Sequence, residues 1–258
     1  MKELTSYGSL ENFFSRIGEA NALLLLDYDG TLSPFHIDPS QAFPYPGVVE
    51  RIRQLMSLSR TRVIIVSGRS VDDLIPLLSL DSLPEIWGCH GGERLIDGRK
   101  QVRTLLPVQQ EALLKGKQIA EQYVPKGRCE QKPLSIAAHW RGVEPSLQQQ
   151  IRQQIEPLWK ELAEKSELEA NLFDGGIEMR VKGMNKGGAI ETILKEYAAD
   201  AVAYLGDDAT DEEAFAALGE RGLKVLVRSE LRETLADIQL LPPDELLDFF
   251  DKWIDNGK

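Results

Sequence analysis

The stretch Ala22-Leu23-Leu24-Leu25-Leu26-Asp27-Tyr28-Asp29-Gly30-Thr31-Leu32 sets five apolar residues directly against two carboxylates spaced two apart. A short continuous apolar run reads as a strand buried on both faces, as in a parallel sheet. Open parallel sheets bind ligands beyond the carboxyl ends of their strands. Residues two apart in extended chain point to the same side, so Asp27 and Asp29 can enter one small space. Carboxylates that close repel unless a cation or a shared proton relieves them. Magnesium, with its preference for oxygen ligands, does this. One carboxylate can then attack phosphorus while the other serves as acid and base. Gly30 permits a sharp turn. Taken alone, the segment also reads as an acidic turn with solvated charges, because Asp-Gly is a common turn pair.

Outward from this stretch, short apolar runs alternate with amphipathic ones. Pro46 opens a helical pattern through Val48, Val49, Ile52, Leu55 and Met56. Val63–Val66 is a second strand, Val71–Leu78 a helix and Ile86–Cys89 a third strand. Later come a helix at Ala189–Tyr197, a strand at Ala201–Leu205, a helix at Glu212–Leu218, a strand at Leu223–Val227 and a helix at Asp244–Ile254. This rhythm predicts an α/β fold, a doubly wound parallel sheet covered by helices on both faces. Between Pro107 and Met179 the rhythm breaks. Helical patterns at Glu111–Tyr123 and Ser146–Lys165 are each followed by strand-like segments, Ser135–Trp140 and then Leu168–Phe173 with Ile177–Val181. We therefore expect a core of 1–106 and 180–258 carrying an inserted α+β domain at 107–179.

Two more turns follow apolar strands directly. Ser67-Gly68-Arg69 offers a hydroxyl and backbone N–H groups to a phosphoryl oxygen, although Ser-Gly is also an ordinary turn. Gly206-Asp207-Asp208 adds carboxylates at the same sheet edge, where one could complete a metal's coordination. In Thr210-Asp211-Glu212-Glu213, Thr210 and Glu213 fit a capping box and the acids suit a helix first turn. A structural and a functional reading of Asp211 and Glu212 both stand. Lys186, where a helix begins, adds charge to an end that repels cations, unless its ammonium faces an anion. An exposed lysine is the alternative. Asp27 and Ser67 sit one residue past an apolar strand and Asp207 two, and that convergence points to a metal-and-phosphate site.

The 258 residues are 42% hydrophobic and 28% charged, with a formal net charge of -11. Those are globular values. The acidic balance disfavours nucleic acid and acidic membranes as partners. A phosphate site must then carry its own positive charge. Cys89 and Cys129 have no paired spacing, which suits a reducing cytoplasm. Met1–Ala20 carries charges in place of a signal peptide's apolar stretch, and the apolar run of residues 22–26 is too short to span a bilayer. We expect a cytoplasmic monomer acting on a small molecule.

The four motifs, Asp27-x-Asp29-Gly-Thr, Ser67-Gly-Arg, Lys186 and Gly-Asp207-Asp208, in this order resemble those of the haloacid dehalogenase-like phosphatases. The resemblance implies a Rossmann-like core and a substrate-selecting cap at about 107–179. It implies Asp27 as nucleophile and Asp29 as acid/base, with Ser67 and Lys186 holding the phosphoryl group. Asp27, the Asp29 backbone carbonyl, Asp207 and Asp208 are the implied magnesium ligands. Within that superfamily the chain is similar to the trehalose-6-phosphate phosphatases, through His90-Gly91-Gly92-Glu93, Lys132-Pro-x-Ser135-x-x-x-His139-Trp140-Arg141, Ile177-Glu178-Met179-Arg180 and Gly206-Asp-Asp-x-Thr210-Asp211-Glu-x-x-Phe215. That similarity implies substrate contacts from Arg69, Gly92, Glu93, Glu130, Lys132, Arg141 and Glu178. Cys89 and Met184-Asn185 depart from the usual wording. Without the resemblance, the residues of the insert read as ordinary surface, and His139 and Trp140 as packing. Sucrose 6-phosphate and glycosyl-3-phosphoglycerate are alternative substrates, and a phospho-accepting receiver is the non-enzymatic alternative.

Overall fold

The computed structural model of the chain describes residues 2–3, 8–19, 21–173 and 175–258. The reading of Met1–Ala20 lies partly outside these residues. Two compact units emerge, 1–101 with 185–258, and 102–184.

The larger unit opens with β1 (Lys2–Glu3), α1 (Gly8–Ile17), β2 (Ala22–Leu26), α2 (Val48–Ser57), β3 (Thr61–Val66), α3 (Val71–Leu78), β4 (Glu85–Gly88), β5 (Glu93–Ile96) and β6 (Arg99–Val102). The smaller unit holds α4 (Pro107–Tyr123), β7 (Cys129–Gln131), β8 (Ser135–His139), α5 (Pro145–Glu164), β9 (Leu168–Phe173) and β10 (Gly176–Val181). The chain then completes the larger unit with α6 (Lys186–Glu196), β11 (Ala201–Gly206), α7 (Asp211–Leu218), β12 (Leu223–Val227), β13 (Ile238–Leu240) and α8 (Asp244–Gly257).

The larger unit's sheet runs β1-β13-β12-β11-β2-β3-β4-β5-β6. Its centre, from β13 to β4, is parallel. Antiparallel pairing enters at β1 and β5. The chain winds outward from β2 to β4, then returns to β11 on the other side of β2. The switch point of this doubly wound sheet therefore lies between β2 and β11, where such folds bind ligands. Alternation along β2 explains the two helical layers. Leu24 and Leu26 pack with residues of α1, α2, α3 and α8. Leu23 and Leu25 pack with residues of α6 and α7. Leu23 to Leu26 are each at most 2% exposed, and burying each contributes about 1.5–3 kcal/mol.

The smaller unit is a four-stranded antiparallel sheet, β7-β8-β10-β9. Ile136, Ala138, Ile177 and Met179 share a core with Ala112, Ile151, Ile155 and Trp159 of its two helices. A boundary at 179/180 would cut β10. Arg180 and Val181 stay in this sheet because they pair with Glu169 and Leu168. Among the described residues, no helix is long and apolar enough to cross a membrane.

Candidate active site

Asp27, Ser67 and Asp207 follow β2, β3 and β11, three adjacent strands. The Asp27 N–H donates to the Leu205 carbonyl at 2.9 Å, and the Ser67 N–H to that of Trp87 at 2.9 Å. The ladders thus continue into the candidate site residues. Ser67 is buried, and its hydroxyl accepts from the Arg69 N–H at 3.1 Å.

Lys186 opens α6. Asn185 caps that helix by accepting from the Gly188 N–H at 2.8 Å. An ammonium at this end opposes the helix dipole, and two carboxylates offset the conflict. Lys186 Nζ donates to Asp27 Oδ1 at 2.6 Å and to Asp211 Oδ1 at 2.7 Å. All three side chains are at most 5% exposed.

One oxygen from each of Asp27, Asp207 and Asp211 lies within 4.8 Å of the others. Three buried acids around one ammonium leave an excess of negative charge. Burial, with Asp211 and Asp207 nearby, pushes the Asp27 carboxyl well above its usual value against the pull of Lys186. Burial, Asp211 and Asp208 push Asp207 up to about 8. Burial alone would lower Lys186, but Asp211 and Asp27 outweigh it and hold the ammonium charged. A hard divalent cation fits this donor set, all oxygen and short of positive charge. Gly30, at φ 82°, leaves room for the Asp207 carboxylate, which a Cβ there would strike.

Asp208 does not belong to the acidic cluster. Its Oδ1 accepts from the Thr210 N–H at 2.8 Å and hydroxyl at 2.7 Å. Burial would raise it, yet Lys186 and those bonds hold it below the usual carboxylate range. Asp211 supplies the third carboxylate of the cluster. Its Oδ2 accepts from the Asp207 and Asp208 N–H groups, both at 3.0 Å, and its Oδ1 from the Tyr204 hydroxyl at 2.5 Å. The expected capping box therefore does not form, and Thr210 makes no side-chain cap. The acid serves the turn that carries Asp207.

The Asp29 carboxylate also lies outside the cluster, because both its oxygens accept from Arg69, each at 2.7 Å. Glu93 was expected to meet substrate, but its side chain is turned inward at 0% exposure. It accepts from the Val71 N–H at 2.8 Å and sits 3.1 Å from Lys100 Nζ. Gly92 closes the neighbouring turn by donating to the Cys89 carbonyl at 3.1 Å. Arg232 escaped the sequence reading. It donates to the Asp208 carbonyl at 2.5 Å and pairs with Glu212, from a segment with no periodic pattern to flag it.

In the smaller unit, Glu130, Ala137, Glu178 and Asn171 form one row across the sheet. Ala137 flanks Ile136 and Ala138, which face the helices, so this row lies on the opposite face. Ala137 sits between the two carboxylates in that row. Lys132 lies 3.7 Å from Glu130, and Ser135 donates to Glu178 at 2.8 Å. His139 is not core packing. It is 38% exposed and pairs with Glu130 at 3.0 Å, while Trp140 is buried. Arg141 lies in the turn after β8, its carbonyl accepting from Arg128 at 2.7 Å.

A cleft of about 740 Å³ lies at the opposite edge of the larger sheet, lined in part by Arg62, Glu85 and Tyr197. Glu85 and its cationic neighbours satisfy one another. Glu85 accepts from Trp87, Arg94 and Tyr197, and Arg62 stacks 4.3 Å over the Tyr197 ring.

The sequence profile described as trehalose-phosphatase matches residues 25–240, a span that contains every residue of the acidic cluster. The chain belongs to the trehalose-phosphatase family. A trehalose-phosphate synthase of Dictyostelium discoideum is 32% identical over 76% of the chain, which spans only 25% of that protein. A probable trehalose-phosphate phosphatase of Arabidopsis thaliana is 28% identical over 98% of the chain and 78% of its own length. The fold matches that of the Aspergillus fumigatus trehalose-6-phosphate phosphatase with a TM-score of 0.73, covering 99% of each chain at 23% identity. Family membership places the chain among phosphatases, and its fold is shared with a haloacid dehalogenase-like hydrolase of Bacteroides thetaiotaomicron, with a TM-score of 0.66 over 90% of the chain and 98% of that protein at 16% identity.

Proposed function

We propose that the chain hydrolyses trehalose 6-phosphate to trehalose and inorganic phosphate with magnesium, through an aspartyl phosphate on Asp27. The carrying observation is the Lys186 ammonium bridging Asp27 and Asp211 beside Asp207, at the switch point of the sheet. Asp27, Asp207 and the Asp29 backbone carbonyl would hold the magnesium ion, with Asp211 fixing the turn beneath Asp207. Bound magnesium offsets the repulsion between the nucleophile and a phosphate dianion.

An Asp27 oxygen attacks phosphorus in line, and the bond from phosphorus to the sugar oxygen breaks. Ser67 and Lys186 hold equatorial oxygens. Asp29, released from Arg69 and protonated, gives its proton to the leaving oxygen. It then takes a proton from the water that attacks the aspartyl phosphate, which frees phosphate and restores Asp27. The row of Glu130, Ala137 and Glu178, with Lys132 beside it and Arg141 in the following turn, supports a sugar-binding role for the smaller unit. Carboxylates accept from sugar hydroxyls, and Lys and Arg donate. Neither cysteine forms a disulfide among the described residues, which supports a cytoplasmic setting.

The test is phosphate release from trehalose 6-phosphate, sucrose 6-phosphate and glucosyl-3-phosphoglycerate, with and without magnesium. The expected result is magnesium-dependent turnover with the highest kcat/KM on trehalose 6-phosphate, lost in Asp27→Asn. Wild-type turnover in that variant would remove Asp27 as nucleophile. A higher kcat/KM on another ester would reassign the substrate.

A further inference from the structure

The bend from Gly88 to Glu93 grips the turn that carries Ser67 at three points. The His90 N–H donates to the Ser67 carbonyl at 3.0 Å, and the Cys89 N–H to the Arg69 carbonyl at 2.7 Å. The Val71 N–H donates to Glu93 Oε2 at 2.8 Å. Contact is tight enough that a Cβ on Gly88 would lie 2.8 Å from the Val71 nitrogen. Cys89 and His90 hold positive φ angles of 49° and 56°, which side chains rarely adopt unless the surroundings over-determine them. Lys100, on β6, supplies the counter-charge. Its Nζ is 3.1 Å from Glu93 Oε1 and 2.8 Å from Asp72 Oδ2, in the first turn of α3. A buried carboxylate left without such partners would be costly, so this pair gives the bend a firm hold on the start of α3.

The gripped turn carries two working parts. On the proposed mechanism Ser67 holds a phosphoryl oxygen, and Arg69 holds both oxygens of Asp29. An error at Val71 moves both, because only one residue separates it from Arg69. We infer that Glu93 is a positioning residue: through Val71, with Lys100 as counter-ion, it sets Ser67 and the Arg69–Asp29 pair without touching substrate. This rests on the phosphatase reading above.

The test compares wild type, Glu93→Gln and Glu93→Leu in two measurements. One is kcat and KM for phosphate release from trehalose 6-phosphate with magnesium, well below the melting temperature. The other is amide hydrogen exchange over residues 67–73. Glu93→Leu should lower kcat at least about tenfold with a smaller change in KM, and speed exchange in that segment. Glu93→Gln, whose amide oxygen can still accept from Val71, should recover most of both. Wild-type kcat or unchanged exchange in folded Glu93→Leu would overturn the inference. So would a change in KM alone, which marks a substrate contact, or a Glu93→Gln as impaired as Glu93→Leu. Should Glu93→Leu not fold, Lys100→Met carries the same test. Faster exchange with lowered kcat supports the inference, and wild-type values overturn it. A wild type that releases no phosphate sinks the functional reading, while the exchange comparison still tests the grip.

Discussion

Asp29 and Arg69 form a forked ion pair, with Nε and Nη2 each 2.7 Å from a different carboxylate oxygen. The third guanidinium nitrogen donates to the Pro39 carbonyl at 2.8 Å, and the group lies 5.6 Å from the centre of the Tyr28 ring. A planar fork fixes the plane of the carboxylate it holds. On the proposed mechanism the acid/base is thereby aligned but occupied, and an arriving phosphate dianion would compete for the same cation. Arg69→Lys keeps the charge and loses the fork, so kcat/KM should fall about tenfold or more. Arg69→Met should fall further. Steady-state kinetics checks both, and an unchanged kcat/KM in Arg69→Met would remove Arg69 from the mechanism.

Lys186 bridges two buried carboxylates. Its removal leaves Asp27, Asp207 and Asp211 together with no ammonium among them. Breaking a buried pair by deleting one partner costs about 3–5 kcal/mol. Lys186→Met should therefore lose turnover and lose stability by that order in denaturant unfolding without metal. Added magnesium should restore part of the stability and none of the turnover. A Lys186→Met protein as stable as wild type without metal would contradict the charge balance argued here.

Asp211 accepts four hydrogen bonds, from Lys186, Tyr204 and the N–H groups of Asp207 and Asp208. Asp211→Ala orphans all four donors, whereas Tyr204→Phe removes one. Tyr204→Phe should cost about 1 kcal/mol, and Asp211→Ala several-fold more. Because Asp211 fixes the turn beneath Asp207, its loss should also raise the magnesium concentration for half-maximal turnover. The double variant should be little worse than Asp211→Ala alone, since both act through one oxygen. Additive losses would mean that Tyr204 acts elsewhere.

The switch-point strands were legible because residues 22–26, 63–66 and 201–205 are continuous apolar runs, and a candidate site residue follows each within two positions. The short strands β5, β6, β7 and β13 were not. Arg99–Val102 is exposed throughout, so no apolar pattern marks it. Asp211 was ambiguous for a physical reason. An acid in a helix first turn is favoured by the dipole alone, and only the fold brings Lys186 and Tyr204 to it. Asp207 and Asp208, as adjacent acids, look equivalent in sequence, while the turn sends one toward Asp27 and the other toward Thr210. Glu93 shows the same limit. Polarity suggests exposure, but its partners, Val71 and Lys100, are supplied by segments 22 residues upstream and 7 downstream.

With Asp207 as a magnesium ligand, as proposed, metal binding is linked to pH. The Asp207 carboxyl is pushed up to about 8, by burial first and then by Asp211 and Asp208. Without metal, the folded protein therefore keeps a proton that the unfolded chain releases near its ordinary value of 3.8. Between those values the unfolded state binds fewer protons, so stability falls as pH rises, by at most about 1.4 kcal/mol per pH unit from this group. Above pH 8 its contribution levels off. A cation replaces that proton, so magnesium binding should release protons and tighten as pH rises toward 8. Melting temperatures at pH 6, 7 and 8, each with chelator and with magnesium, check this. The stabilisation by magnesium should grow with pH, and Asp207→Asn should remove that growth. Magnesium stabilisation that stayed constant from pH 6 to 8 would mean that Asp207 carries no proton for the ion to displace.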